Sequence, residues 1–263
     1  MFNFVTETPY SMTLTYIFHS GFALETLSAI LVVDYWMDPA GVISKLLKSD
    51  KPMYVFSSHF HEDHFSRKIF SWKREKGNIT YILSKDILRH RRAERHEADM
   101  WMAKGAFWSD DNIEVHATGS NDSGVSWVIQ IDGKYVFHAG DLNNWYARFL
   151  AEETPNKTIY SEEMEEDIDP VKEEKRFLGE LKDIGKITSH FDVAMFPVDG
   201  RIGNGYTRGG RQFIERFEVG LFVPMHFVVS GFESAWRMKE FTEERDIPFW
   251  SIKREGEQMR LQL

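Results

Sequence analysis

A short apolar run, Met53-Tyr54-Val55-Phe56, leads straight into Ser57-Ser58-His59-Phe60-His61-Glu62-Asp63-His64-Phe65. The run reads as a strand buried on both faces, so the histidines begin where its C-terminal end opens into a loop. Residues two apart in extended chain face the same way, which lets His59 and His61 point at one metal ion. The turn that follows brings Asp63 and His64 to a second ion beside it. Imidazole and carboxylate suit zinc, manganese or iron. A lone histidine after a strand is ordinarily a satisfied core or surface group. Five ligand-type side chains within six positions, spaced H-x-H-x-D-H, are hard to explain that way and point to metal.

The flanking chain supplies an α/β setting. Residues 13–18 and 22–33 read as extended, with Gly21 at a turn and the apolar run Ile30-Leu31-Val32-Val33 ending at Asp34. Helices are expected over 39–49, 66–76 and, highly charged, 85–97, with a strand over 79–83 between the last two. An irregular stretch near 100–112 precedes strands around 113–118, 124–131 and 134–139. Asp132-Gly133 between the last two suits a type I′ hairpin turn. The segment from about 142 to 188 is highly charged, with an acidic run at Glu162, Glu163, Glu165, Glu166 and Asp167. With few apolar positions to bury, it reads as a helical insertion, either a solvated helical pair or a lid. A strand over 192–198, a helix over 208–217, a strand over 220–224, a helix over 232–244 and short strands near 248–252 and 258–262 complete the chain. Two packed sheets with helices outside satisfy this order, as one domain over 1–263.

Composition narrows the partners. At 263 residues and 42% hydrophobic, the chain can bury one large core. A net charge of −9 does not suggest the basic surface of a nucleic-acid enzyme. The cations between 85 and 95 read as a solvated helix face. The absence of cysteine excludes disulfides, thiolate ligands and cysteine nucleophiles. No signal peptide is expected at the N-terminus, and no apolar stretch approaches the roughly 20 residues that span a bilayer. The expected address is cytoplasmic and the expected partner a small-molecule substrate, with no nucleic acid and no membrane; a homo-oligomer is compatible with all of this.

The H-x-H-x-D-H segment resembles the signature of the metallo-β-lactamase superfamily, and further landmarks follow in order across nearly the whole chain. Asp34 is similar to the early aspartate that buttresses the ligand loop. Val136-Phe137-His138-Ala139-Gly140-Asp141 resembles the strand-Gly-Asp element that supplies the metal-bridging carboxylate. Val223-Pro224-Met225-His226 resembles the late strand ending in a histidine on the second metal. The resemblance implies an αβ/βα four-layer sandwich, two mixed sheets with outer helices, holding one or two divalent ions at the sheet ends. Zinc is the first expectation, manganese or iron the alternatives, and the implied ligands are His59, His61, Asp63, His64, Asp141 and His226. The stretch including His19-Ser20-Gly21-Phe22 looks most like the branch related to ascorbate-6-phosphate lactonases.

One landmark is missing. The family's third histidine on the first metal falls within His116-Ala117-Thr118-Gly119-Ser120-Asn121-Asp122-Ser123-Gly124, where Ser120 or Asp122 stands in its place. Asp122 is the candidate substitute; the alternatives are that His116 swings in or that the first ion is weakly held. His19 and His138 are candidates for reaching or supporting the site. Asn144, with Asn143 and Trp145, is expected near the mouth, and Arg201 either binds an anionic substrate group or forms a salt bridge.

The implied chemistry is hydrolytic: paired cations bring the pKa of a water from ~15.7 toward ~7 and polarise the oxygen of an ester, lactone or phosphoester. Asp63 is the expected proton acceptor. Rival readings are a phosphodiesterase or nuclease, a non-catalytic metal-binding scaffold, and a redox centre like the flavodiiron proteins, whose motif resembles H-x-E-x-D-H where this chain has His61.

Overall fold

The computed structural model describes residues 11–150 and 168–262. The first half of the chain forms strands β1 (Ser11–Phe18), β2 (Gly21–Glu25), β3 (Ile30–Val33), β4 (Met53–Ser57), β5 (Ile79–Ser84), β6 (Met100–Met102), β7 (Phe107–Ser109) and β8 (Ile113–Gly119). The second half adds β9 (Val125–Ile131), β10 (Lys134–His138), β11 (His190–Phe191), β12 (Val193–Pro197), β13 (Glu218–Val219), β14 (Phe222–Met225) and β15 (Gln258–Gln262). One sheet runs β15-β1-β2-β3-β4-β5-β6 and the other β14-β12-β10-β9-β8-β7, with β11 and β13 pairing separately. Both are mixed. In the first sheet β1, β2 and β3 are antiparallel and β3 to β6 parallel. In the second, β7 to β10 are antiparallel and β10, β12 and β14 parallel.

Each sheet is buried on both faces, which is why its central strands are unbroken apolar runs. Along β3, Leu31 and Val33 face the inter-sheet core with Trp127, Ile129 and Val136, while Ile30 and Val32 face a second cluster. That cluster includes Val42 and Ile43 of helix α1 (Val42–Leu46) and Ile87 of helix α2 (Lys85–Arg89). Helix α3 (Pro170–Ile184) starts at Asp169, whose carboxylate caps the N–H groups of Val171 and Lys172, with Pro170 at the first helical position. Helices α4 (Arg208–Ile214), α5 (Phe232–Ala235) and α6 (Arg237–Glu243) complete the outer layers, and Phe213, Ala235 and Met238 reach the main core from them. The result is the four-layer sandwich of two mixed sheets with helices outside. Among the described residues no helix is long and apolar enough to cross a membrane.

Several expected elements differ. The charged helix over 85–97 shortens to α2 because Arg91 takes φ +56, a left-handed value that stops a helix. The 66–76 helix is a 3-10 turn, Arg67–Arg74, entered through the Ser66 side chain. The irregular stretch near 100–112 contains β6 and β7, both only three residues long. The 232–244 helix breaks around Trp236, whose indole N–H donates to the carbonyl of Ile252. The 248–252 strand reduces to one bridge between Phe222 and Phe249. The acidic run from Glu162 to Asp167 lies outside the described residues. What is described of the 142–188 segment is more than a solvated pair: Phe177, Leu181 and Ile184, at i, i+4 and i+7, are fully buried in the main core. Asp132 and Gly133 take φ +50 and +76, as a type I′ turn requires.

Candidate metal centre

The parallel strands of both sheets release their C-terminal ends toward one place. Asp34 follows β3, His59 to His64 follow β4, Asp141 follows β10, Asp199 follows β12 and His226 follows β14. In open α/β sheets this is where ligands bind. Close approach of the β4 and β10 loops depends on Gly140, at φ +53, where a side chain's Cβ would sit 2.8 Å from Ser58 Cβ.

Asp34, fully buried, organises the ligand loop. It accepts hydrogen bonds from the Ser58 N–H at 2.7 Å and the Ser58 hydroxyl at 2.6 Å, and its Oδ2 lies 2.7 Å from His64 Nδ1. His64 therefore donates through Nδ1 and turns Nε2 inward. His59 does likewise, with Nδ1 3.0 Å from Ser58 Oγ, and so does His226, with Nδ1 2.9 Å from Asp199 Oδ2. These tautomers follow from the hydrogen-bond network. Imidazoles anchored through one nitrogen, with the other directed at a common point, are arranged as metal ligands are.

Two groups of inward atoms result. His59, His61 and Asp141 form one; His19, Asp63, His64 and His226 form the other, and within each group the ligand atoms lie within 4.8 Å of one another. In the first, His59 Nε2 is 2.9 Å from His61 Nδ1 and 3.1 Å from Asp141 Oδ2. Asp141 Oδ1 turns to the second group, 3.0 Å from His64 Nε2 and 3.4 Å from His226 Nε2. One carboxylate thus offers an oxygen to each group.

Metal ions fit these residues. His64 Nε2, Asp141 Oδ1 and both ring nitrogens of His19 are buried without a well-aligned hydrogen bond, an arrangement that is costly unless a further partner is supplied. Burial pushes the Asp141 carboxyl up, but His64, His59 and His226 outweigh it and hold it well below the usual carboxylate range. Asp34 and Asp63 are also held below that range against burial, Asp34 by His138 and His64, Asp63 chiefly by His19. His64 is raised well above an ordinary histidine, since Asp141 and Asp34 overcome its burial. Several carboxylates thus keep their charge in a largely buried site whose nitrogens can exchange protons for cations.

The remaining candidates are placed less uniformly. Asp122 lines the pocket above the site but is exposed and belongs to neither group; burial and the Asp141 charge raise its carboxyl. Ser120 accepts the Asp122 N–H and stays within its own loop. His116 pairs with Phe107 of β7, their rings tilted 4.7 Å apart, and does not line the pocket. His138 is buried, with Nε2 2.8 Å from the Ser20 carbonyl and Nδ1 accepting from the Gly140 N–H, so it braces the turn that carries Asp141. Asn144 departs from the expectation of a place at the mouth. It is buried and donates to Glu174 and Gln212, because α3 brings Glu174 down onto it. Trp145 does line the pocket, its indole N–H donating to the Asp141 carbonyl. Arg201 makes the salt bridge, clasping Asp199, while also lining the pocket.

Asp199, which follows an apolar strand as Asp34 does, joins the site through His226 although the sequence pattern alone does not mark it. The pocket has a volume of about 510 Å³. His61, Asp63, Asp141 and His226 line it together with Trp145, Tyr146, Glu173 and Arg176.

Neither protein-family models nor curated proteins match this chain. Solved structures do. Igni18, a metallo hydrolase from the archaeon Ignicoccus hospitalis, is similar with a TM-score of 0.63 at 17% identity, covering 96% of this chain and 99% of that one. The metallo-β-lactamase fold protein YhfI from Bacillus subtilis gives 0.61 at 14%, covering 96% and 100%. CmlA, a diiron β-hydroxylase from Streptomyces venezuelae, gives 0.58 at 12%, covering 97% of this chain and 55% of that one. The fold is the metallo-β-lactamase fold.

Proposed function

We propose that this protein is a binuclear metal-dependent hydrolase acting on a small molecule with an ester, lactone or phosphoester-type bond. The observation that carries the reading is Asp141, whose two oxygens serve the two ligand groups separately. A donor set of histidines and carboxylates suits zinc first, manganese or iron next. When bound, such ions make water nucleophilic at neutral pH and polarise the substrate oxygen.

The chain's own residues do the rest. Asp63 is one-third exposed and lines the pocket, so its carboxylate reaches both the ligand group and the substrate space. There it orients the attacking water and accepts its proton. Trp145 and Tyr146 supply apolar wall, and Arg176 supplies positive charge at the rim beside Glu173. Igni18, among the structural neighbours, is a metallo hydrolase, which favours hydrolysis. The diiron β-hydroxylase keeps a redox reading in view.

The test is a panel of esters, lactones and phosphodiesters with zinc-, manganese- and iron-loaded protein. Hydrolysis of at least one class, lowered about 10²–10⁴-fold in Asp63→Asn, is the expected result. Inactivity across the panel, with oxygen consumption by the iron form, would replace hydrolysis by redox chemistry.

A further inference from the structure

We infer that the two ions are held unequally: the firmly held ion lies in the group that His19 completes as a direct ligand, and the exchangeable one lies at His59, His61 and Asp141. This rests on the metal-centre reading above and assigns its two halves different tasks.

His19 is placed by construction. The β1–β2 pairing shifts register between Tyr16 and Phe18, and His19 then takes φ +55. Its N–H donates to the Tyr16 hydroxyl at 2.8 Å, and its carbonyl accepts the N–H of His226. The ring packs 4.2 Å from that of His226 and edge-on to Trp36 at 5.8 Å. It is only 3% exposed, yet Nδ1 has no hydrogen-bond partner and Nε2 meets only a carboxylate of the same group. Nε2 lies 3.2 Å from Asp63 Oδ2, within a group otherwise made of Asp63, His64 and His226. A left-handed, buried and unsatisfied imidazole aimed at three other donors is what a cation would repay.

The groups then differ in completeness. His19, Asp63, His64 and His226, with Asp141 Oδ1 beside them, offer five side chains, enough to close a zinc site, whereas the three of the other group leave a position open. Among the described residues no fourth side chain joins the group of His59, His61 and Asp141; the Asp122 carboxylate lines the pocket near them without belonging to it. Asn121 donates its amide to the Asn143 carbonyl, and the Ser120 hydroxyl accepts the backbone N–H of Asp122. His61 and Asp141 of the open group line the pocket, as Asp63 and His226 of the other do, so the open position of the first group lies beside the substrate space.

The experiment loads the full chain with Zn²⁺, dialyses it against a weak chelator, and measures zinc per chain and affinity by competition. Wild type and His61→Ala are expected to retain the same firmly held ion. His19→Asn, whose side chain tolerates the left-handed backbone, is expected to bind it at least about 100-fold more weakly. In parallel, histidine ¹⁵N resonances of the wild type are followed as Zn²⁺ is added. His19 should shift with the first equivalent and His61 with the second, a readout that does not depend on the variants folding. Wild-type affinity in His19→Asn, or a His19 resonance unmoved by the first equivalent, would overturn the inference while leaving a binuclear hydrolase intact. Saturation of the wild type at a single equivalent that moves His19 would instead remove the binuclear reading and keep His19 as a ligand.

Discussion

Asp34 and His64 meet at 2.7 Å, carboxylate Oδ2 to imidazole Nδ1, inside a fully buried strand end. The same carboxylate receives both polar hydrogens of Ser58, so it fixes the loop and the ligand together. Asp34→Asn removes the charge and one acceptor. Zinc affinity should fall about 10–100-fold. Stability should fall by about 3–5 kcal/mol, the range for breaking a buried pair. Competition titration and urea unfolding measure the two effects.

Asp199 does for His226 what Asp34 does for His64, with Arg201 clasping it from the other side. Asp199→Asn should weaken zinc binding by a similar about 10–100-fold, whereas Arg201→Lys should weaken it less because the Asp199–His226 contact remains. Equal losses in the two variants would mean that Arg201, not the carboxylate, sets the imidazole.

Burial lowers His19 to about 4 from 6.5 against the pull of Asp63. In metal-free protein the folded chain therefore binds fewer protons than the unfolded chain between those values. Its stability contribution is present above 6.5 and lost as pH falls toward 4. The loss amounts to ~3 kcal/mol for this group. His64, raised by Asp141 and Asp34, contributes with the opposite sign, its share present at low pH and lost as pH rises through its folded value. Thermal melts from pH 4 to 7 should show a shallower dependence in metal-free His19→Asn than in wild type. An unchanged slope would mean that His19 is not buried in neutral form.

Phe177 ties α3 to the sandwich. Phe177→Ala should cost about 3–5 kcal/mol in chemical unfolding, as for other fully buried phenylalanines. A loss under about 0.5 kcal/mol, the scale of a surface substitution, would return the helix to the status of a solvated appendage.

What was legible in the sequence was local. A buried strand followed by a ligand-type residue places Asp34, His59 and Asp141 without knowledge of the tertiary fold, because the strand fixes which end opens. The same signal was available for Asp199 after β12, but a lone acid at a turn looks like a cap until His226 stands opposite it. His19 is a candidate from the resemblance alone; its place rests on the contact between the β1 end and the β14 end, more than 200 residues apart, and no local pattern carries that. Asn144 was misplaced for a related reason: whether it faces the mouth or the interior is decided by Glu174, which α3 brings in from 30 residues away. In α3 itself the apolar stripe was present, but the surrounding charge obscured it.

Asp141 turns one oxygen to each ligand group, as a carboxylate serving two ions would. Zn²⁺ titrated into metal-free wild type should saturate at about two equivalents, and Asp141→Ala should weaken both. Saturation of the wild type below that, or an Asp141→Ala variant that binds both ions as the wild type does, would contradict it.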